Sequence, residues 1–198
     1  MNLSIYAKQY RQDLLQRLVP FWTEFSLDTV HGGYLCVLSG KGEVISFDKW
    51  IKWHGQQAWA FGKLYQLTQH ADYLDYALQG ADFLLHFGAD TKDNWWEIVD
   101  NTGRGVAEVS DICAEAAAVA AWSLAYALTN EEAYADSAKK TLIKAIRRRE
   151  KGLQKRAEAL LTGRNLKNIG ELSALAKALM ASQKLMGEKA FREKGEAL

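Results

Sequence analysis

SFDKWIKWHGQQAWAFGKLYQL, residues 46–67, has a helical period, and the other segments of the chain arrange themselves around it. Trp50, His54, Phe61 and Leu64 fall on one face, while Lys52, Gln56, Trp59 and Lys63 fall on another. Ser46 or Asp48 is the expected N-cap, because a short side-chain oxygen accepts from the free amides of a first turn. A surface helix normally turns a plain polar side to water, so one with indoles on several sides is expected to be enclosed by neighbouring helices. Any single tryptophan at this spacing is commonly packing. The cluster, interleaved with amides and a histidine, makes a wall suited to a sugar, whose C–H faces stack on indole and whose hydroxyls take directed hydrogen bonds.

Upstream, Ile5, Tyr6, Tyr10, Leu14, Leu15, Leu18, Phe21, Trp22 and Phe25 predict a first amphipathic helix over residues 3–25, bent or ended early by Pro20. HGGYLCVLSGKGEVIS, residues 31–46, alternates through Tyr34, Cys36 and Leu38 and predicts a hairpin around Ser39–Gly42. Downstream, a third helix opens near Asp72 and closes at Gly88. Residues 89–108 predict a second hairpin, with Trp95 and Trp96 on it and its turn at Asn101–Gly105. Ser110 or Asp111 is expected to cap a fourth helix whose many alanines imply close neighbours. Asn130 is expected to cap a fifth that runs to the basic block Arg147–Lys151, read as a solvated helix end. Residues 152–168 are ambiguous, with Gly152 and Gly163 as breaks. A sixth helix is expected from Asn168 to Met186, and GEKAFREKGEAL begins another.

The 198 residues, 48% hydrophobic, are enough for a sizeable core and are read as one domain, 1–198. Basic residues number 25 against 24 acidic, so no whole-molecule attraction to nucleic acid or anionic lipid is expected. Cys36 and Cys113 lack metal-ligand spacing, and neither a metal nor a cofactor is expected. No apolar run approaches the roughly 20 residues that span a bilayer. MNLSIYAKQYRQ turns polar too early for a secretory signal, which leaves a cytoplasmic protein as the expectation.

Helix hairpins thus repeat, with short connections at one end and long aromatic excursions at the other. That order suits an all-α toroid in which the second member of each pair lies inside. A helical-repeat interaction module of the tetratricopeptide type is the alternative, against which the two long excursions break an even repeat.

VPFWTEFSLD…GGYLCVL at 19–38, FDKWIKWHGQQAWAFGKLY at 47–65, DNWWEIVDNTG at 93–103 and VSDICAEAAAVAAWSLAY at 109–126 carry a resemblance. In order and spacing the chain resembles the N-acylglucosamine 2-epimerase family, which also contains cellobiose 2-epimerases and mannose-type isomerases. The resemblance implies an (α/α)6 barrel of roughly twice this length, so that this chain is expected to form about its N-terminal half. It also implies proton abstraction beside a sugar carbonyl, by a pair of histidines that the family carries in the other half. His31, His54, His70 and His86 match none of those positions, so no catalytic residue is expected here and the chain alone is expected to be inactive. Where the family has an arginine, in a motif like RQVWTF, this chain has Gln56 in QQAWAF; glutamine keeps hydrogen bonding and loses the charged fork. Walls and donors for a sugar are expected from Tyr34, Trp53, His54, Gln56, Trp59, Trp96 and Asn168. The expected partners are a small sugar and either a complementary C-terminal half-barrel chain or a second copy, the latter as a non-catalytic carbohydrate-binding dimer.

Overall fold

A computed structural model of the chain describes residues 3–109, 111–160 and 169–186. The first helical run is continuous but not uniform. Helix α1 (Leu3–Asp13) passes into a π-helical turn, Leu14–Leu18, and then into α2 (Val19–Phe25). Pro20 stands in the first turn of α2 and does not end the run. Its ring would clash with the carbonyl four residues back in a regular helix, and widening that turn relieves the conflict. The amide of Val19 accordingly donates to the Leu14 carbonyl, five residues back.

Both excursions are hairpins, as their glycines suggest. Strands β1 (Val37–Leu38) and β2 (Val44–Ser46) pair antiparallel across a turn in which Gly42 has φ +88°. Strands β4 (Trp96–Val99) and β5 (Gly105–Glu108) form the second hairpin. Strand β3 (Lys49–Trp50) adds to the second hairpin alone, pairing antiparallel with β4 with Lys49 opposite Val99 and Trp50 opposite Ile98, while β1 and β2 remain a separate sheet. This pairing moves the start of the tryptophan helix. Drawn into the ladder, residues 49–50 stay extended, and helix α3 runs Ile51–Thr68 with Trp50 as an N-cap that makes no side-chain bond. Neither Ser46 nor Asp48 caps it.

Helix α4 (Ala71–Phe87) follows a short turn and ends at Gly88 as expected. Helix α5 (Cys113–Thr129) begins after Ile112, with the Asp111 carboxylate accepting from the Cys113 amide at 2.7 Å. Asn130 proves to be the left-handed end of α5, φ +61°, and not the cap of the next helix. Asparagine tolerates that conformation, and Gln69 ends α3 in the same way. Helix α6 (Glu132–Leu160) runs straight through the basic block and through Gly152, longer than the sequence reading allowed. Helix α7 spans Ile169–Met186, and Gly163 and residues 187–198 lie outside the described residues.

Helix α5 packs on α3, α6 and α7, while α4 covers α3 from behind. The second members of the pairs, α3, α5 and α7, therefore lie side by side. Small residues set their spacing: a Cβ placed on Gly55 would come within 2.5 Å of the Ala117 carbonyl carbon, so only glycine lets the two backbones approach this closely. The core centres on Tyr34, Ile51, Leu84, Val99, Val119, Tyr134, Leu142 and Leu175, all buried. Among the described residues no helix is long and apolar enough to cross a membrane.

Candidate functional site

The stripe Lys52, Gln56, Trp59 and Lys63 is the side of α3 that its apolar contacts leave free. Ile51, His54, Ala58, Phe61 and Leu64 are buried on the other sides. Lys52, Gln56 and Trp59 look onto a recess of about 40 Å³ whose floor is Ala116, Ala117 and Ala120 of α5. Ala174 and Lys177 of α7 close its far side. The Lys177 ammonium lies 4.1 Å from the centre of the Trp59 ring, and that of Lys63 5.6 Å from it.

Gln56 also borders a second, larger groove. That groove, about 380 Å³, runs between the π turn, α2 and α3 and is lined by Leu14, Leu18, Trp22, Trp53, Ala60 and Leu64. Trp53 stacks there on Trp50, centroids 4.9 Å apart. Trp96 faces neither recess; its ring lies over Gly105, where an added Cβ would meet it at 2.4 Å. Among the described residues, the indoles of Trp53, Trp59 and Trp96 line no common recess. Helix α3 divides the first two, and the third belongs to the hairpin.

Tyr34 and His54 sit deeper still, both fully buried. The His54 Nε2 accepts the Tyr34 amide at 2.8 Å, which places the ring proton on Nδ1, 3.2 Å from the Trp50 carbonyl. Cys36 Sγ is 3.3 Å from the same nitrogen. Burial drives His54 down to about 3 and Cys36 up to about 11. The Tyr34 hydroxyl donates to the Tyr76 carbonyl at 2.6 Å, and its ring fills the space over Gly80. Both side chains fix the 26–36 loop against α3 and α4, and neither offers a free polar atom to a sugar. Asn168 lies outside the described residues.

The same loop is pinned by a buried ion pair. Lys49, fully buried, places Nζ 2.8 Å from Asp28 Oδ2 and 2.6 Å from the Gly32 carbonyl oxygen, over the Phe83 ring. Burial raises the Asp28 carboxyl, but the bond from Lys49 and the amides of His31 and Val30 outweigh it and hold it below the usual 3.8.

A third recess, about 400 Å³, opens between α5, α6 and the second hairpin, with Asp93, Glu108, Glu115, Lys144, Arg147 and Arg148 among its lining residues. Within it Arg148 donates to Glu115 at 2.5 Å and to the Asp111 carbonyl, and Lys140 and Lys144 both donate to Asp93. Burial pushes Glu115 up to about 7, with Asp111 adding to the rise and Arg148 opposing it. The basic block is therefore not a helix end, since α6 runs on to Leu160, and from it the partly exposed Arg148 reaches a buried carboxylate. One sequence signal pointed here: a single carboxylate in the alanine-rich CAEAAAVAAW has to find a cation once that helix is buried.

All four histidines stay away from the α3–α5–α7 recess. His31 reaches towards Asp28, His70 towards Asp72, and His86 bonds the Asp82 carbonyl on the surface. Among the described residues no three His, Cys, Asp or Glu side chains gather closely enough to hold a metal ion.

The sequence model of the family described as N-acylglucosamine 2-epimerase (GlcNAc 2-epimerase) matches residues 32–198. The N-acylglucosamine 2-epimerase of Homo sapiens is 35% identical over 89 residues, which cover 43% of this chain and 21% of that protein. Among solved structures, the cellobiose 2-epimerase of Spirochaeta thermophila DSM 6192 superposes with a TM-score of 0.78 at 17% identity, over 98% of this chain and 52% of that one. A D-mannose isomerase superposes with a TM-score of 0.72 at 15% identity, over 96% and 49%. These likenesses show the (α/α)6-barrel arrangement of helix pairs, of which the chain spans about half the length of the solved neighbours.

Proposed function

Because the chain belongs to the N-acylglucosamine 2-epimerase family, we propose that it builds the sugar-binding wall of a sugar 2-epimerase or aldose–ketose isomerase. The reaction removes the proton beside the carbonyl of a ring-opened mono- or disaccharide and passes through an enediol-like intermediate. A proton returned to the opposite face of the same carbon gives the epimer; one delivered to the neighbouring carbon gives the ketose. Such steps need an acid and a base that titrate near neutrality, one on each side of the substrate, and donors aimed at the developing oxyanion.

The distribution of titratable groups carries this reading. Lys52 and Gln56 present donors beside the Trp59 indole, while every histidine lies elsewhere and His54 is held neutral by burial. Glu115 titrates near 7 but stands in the separate recess beside Arg148. The wall therefore binds and orients, and the rest of the ring, in the same polypeptide or another, brings the proton-transfer pair. Incubation of the chain with mannose, glucose, N-acetylmannosamine or cellobiose in deuterated water is expected to give sugar-dependent tryptophan quenching. No epimer, ketose or deuterium at the carbon beside the carbonyl should appear in the proton NMR spectrum. Turnover by the chain alone would refute the division of labour.

The groove of Leu14, Leu18, Trp22 and Trp53 favours a second reading, in which two copies cover each other's apolar edges and bind carbohydrate without converting it. Light scattering across a dilution series tests it: a doubled mass that falls on dilution supports the pairing, and a constant single-chain mass rejects it.

A further inference from the structure

Two recesses lie back to back across the first turns of α5. Cys113, Ala116, Ala117 and Ala120 face the α3–α5–α7 recess, while Glu115 lines the wider one between α5, α6 and the second hairpin. The helical period dictates this: the residue two positions after Cys113 points to the opposite side of the cylinder, and those three and four positions after return to the first. One side chain grips the turn from behind. The Arg148 guanidinium donates to Glu115 Oε2 at 2.5 Å and also to the Asp111 carbonyl, so it holds both the lead-in to α5 and the first turn itself. The Asp111 carboxylate closes the same turn by accepting the Cys113 amide at 2.7 Å. In front, the Ala117 backbone lies against Gly55 of α3 with no room for a methyl group between them. Behind, the space is larger, about 400 Å³ against about 40 Å³.

We infer that Glu115 and Arg148 are positioning residues for the sugar wall: their bond, made from behind, sets where the first turns of α5 hold Cys113, Ala116 and Ala117 as the floor under a bound sugar. The inference rests on the sugar-wall reading above and adds the residues that keep its floor in place. Released from Arg148, the turn has room to retreat towards α6 and the hairpin, and the floor recedes from Gln56 and Trp59, which α3 carries. Holding the turn is distinct from stabilising the fold. The attraction within a buried ion pair offsets little more than the cost of dehydrating its charges, so the charged pair fixes a geometry without adding stability.

The surroundings of Glu115 make this bond respond to pH. Burial is the largest influence, Arg148 faces the carboxyl from α6 and Asp111 from the lead-in, and the balance brings it up to about 7. Lys144 and Arg147 of α6 and Asp93 and Glu108 of the hairpin line the same recess. Lys52 of α3 and Glu171 of α7 act instead on Cys113, whose thiol is pushed up to about 11, chiefly by burial. As pH rises through 7 Glu115 becomes charged and draws Arg148 onto itself; as pH falls it takes up a proton and that attraction is lost. Sugar affinity should therefore rise over the same interval in which the contribution of Glu115 to stability disappears.

The test is tryptophan-fluorescence titration of the full chain with mannose, glucose and cellobiose, none of which carries a titrating group between pH 6 and pH 8. The native chain is expected to bind about threefold more tightly at pH 8 than at pH 6, while its urea midpoint moves the other way. Glu115→Gln should bind equally at both. Arg148→Met, checked for an unchanged circular dichroism spectrum, should bind about threefold to tenfold more weakly than the native chain at pH 8, also without a pH step. Arg148→Lys keeps the charge but not the fork, and should restore the step and part of the affinity. Hydrogen–deuterium exchange reads the turn without any sugar: at one pH, the amides of residues 113–117 should exchange about tenfold faster in Arg148→Met, with those of residues 121–129 unchanged. Affinity that falls together with the urea midpoint as pH rises overturns the inference, because a residue that merely stabilises the fold moves both the same way. A pH step that survives in Glu115→Gln, native affinity in Arg148→Met, or unaltered exchange at 113–117 overturns it too and leaves the sugar wall standing. Faster exchange with no response to any sugar removes the sugar wall, and this inference with it.

Discussion

Replacing Lys49 by methionine keeps roughly the same side-chain length and removes a charge that the fold has enclosed completely. The Asp28 carboxylate, 7% exposed, would lose its partner at 2.8 Å, and the Gly32 carbonyl would lose a donor at 2.6 Å. Breaking a buried pair from one side typically costs about 3–5 kcal/mol. Asp28 keeps the Val30 and His31 amides at 3.0 and 2.9 Å, which places the expectation near the lower end, about 3 kcal/mol. Adding Asp28→Asn removes the orphaned charge and retains an oxygen for both amides, and should recover about 2 kcal/mol. Urea unfolding followed by tryptophan fluorescence measures both. The pH dependence gives an independent check. In the native chain Asp28 titrates below its usual 3.8, so its contribution is full above that value and is lost as pH falls through the folded pKa. Without Lys49 the largest effect left is burial, which raises the carboxyl; the variant's penalty is then full at neutral pH and shrinks below about pH 4. A loss under about 1 kcal/mol at pH 7, no recovery in the double variant, or a gap that widens on acidification would refute the reasoning.

Gln56→Arg is expected to strengthen sugar binding by about 1–2 kcal/mol, read by fluorescence titration, because a guanidinium restores charged donors at a position bordering two recesses. Unchanged binding with an unchanged circular dichroism spectrum would assign this face to packing. Glu115, raised to about 7 by burial, binds its proton more tightly folded than unfolded, so its contribution to stability should be full below about pH 4.5 and be lost as pH rises through 7. Glu115→Gln should flatten that decline, which is expected to be of order 1–3 kcal/mol between urea midpoints measured at pH 5 and pH 8.

Much of the fold was legible because periodicity is local. The two stripes of residues 46–67, the hairpin glycines Gly42 and Gly103, and the alanines of residues 113–125 each announce their element within a few positions. The helix ends were less legible, because Asn130 is as suitable for a left-handed stop as for a cap and only the neighbouring helix decides. The start of α3 was set by Ile98 and Val99, some 50 residues away, through the β3–β4 ladder. At the site, Gln56 and Trp59 were readable as one stripe. His54 was misread because a histidine on a helix face has the same sequence signature whether it looks into a cavity or bonds a buried amide. Lys177 was out of reach, since its contact with Trp59 depends on α7 lying beside α5.

The π turn at Leu14–Leu18 has a geometric consequence for the edge of the molecule. Tyr6, Tyr10, Leu14, Leu18 and Trp22 recur at strict four-residue steps, and on a regular helix each such step precesses by about 40°. Over the whole series the ladder would wind nearly half-way round the cylinder and lose contact with its neighbour. A turn that takes more residues per revolution winds the phase back, so Leu14, Leu18 and Trp22 still point together along α3. One widened turn, next to the only proline, keeps a straight apolar seam available on the flank of a helix that would otherwise have twisted it away.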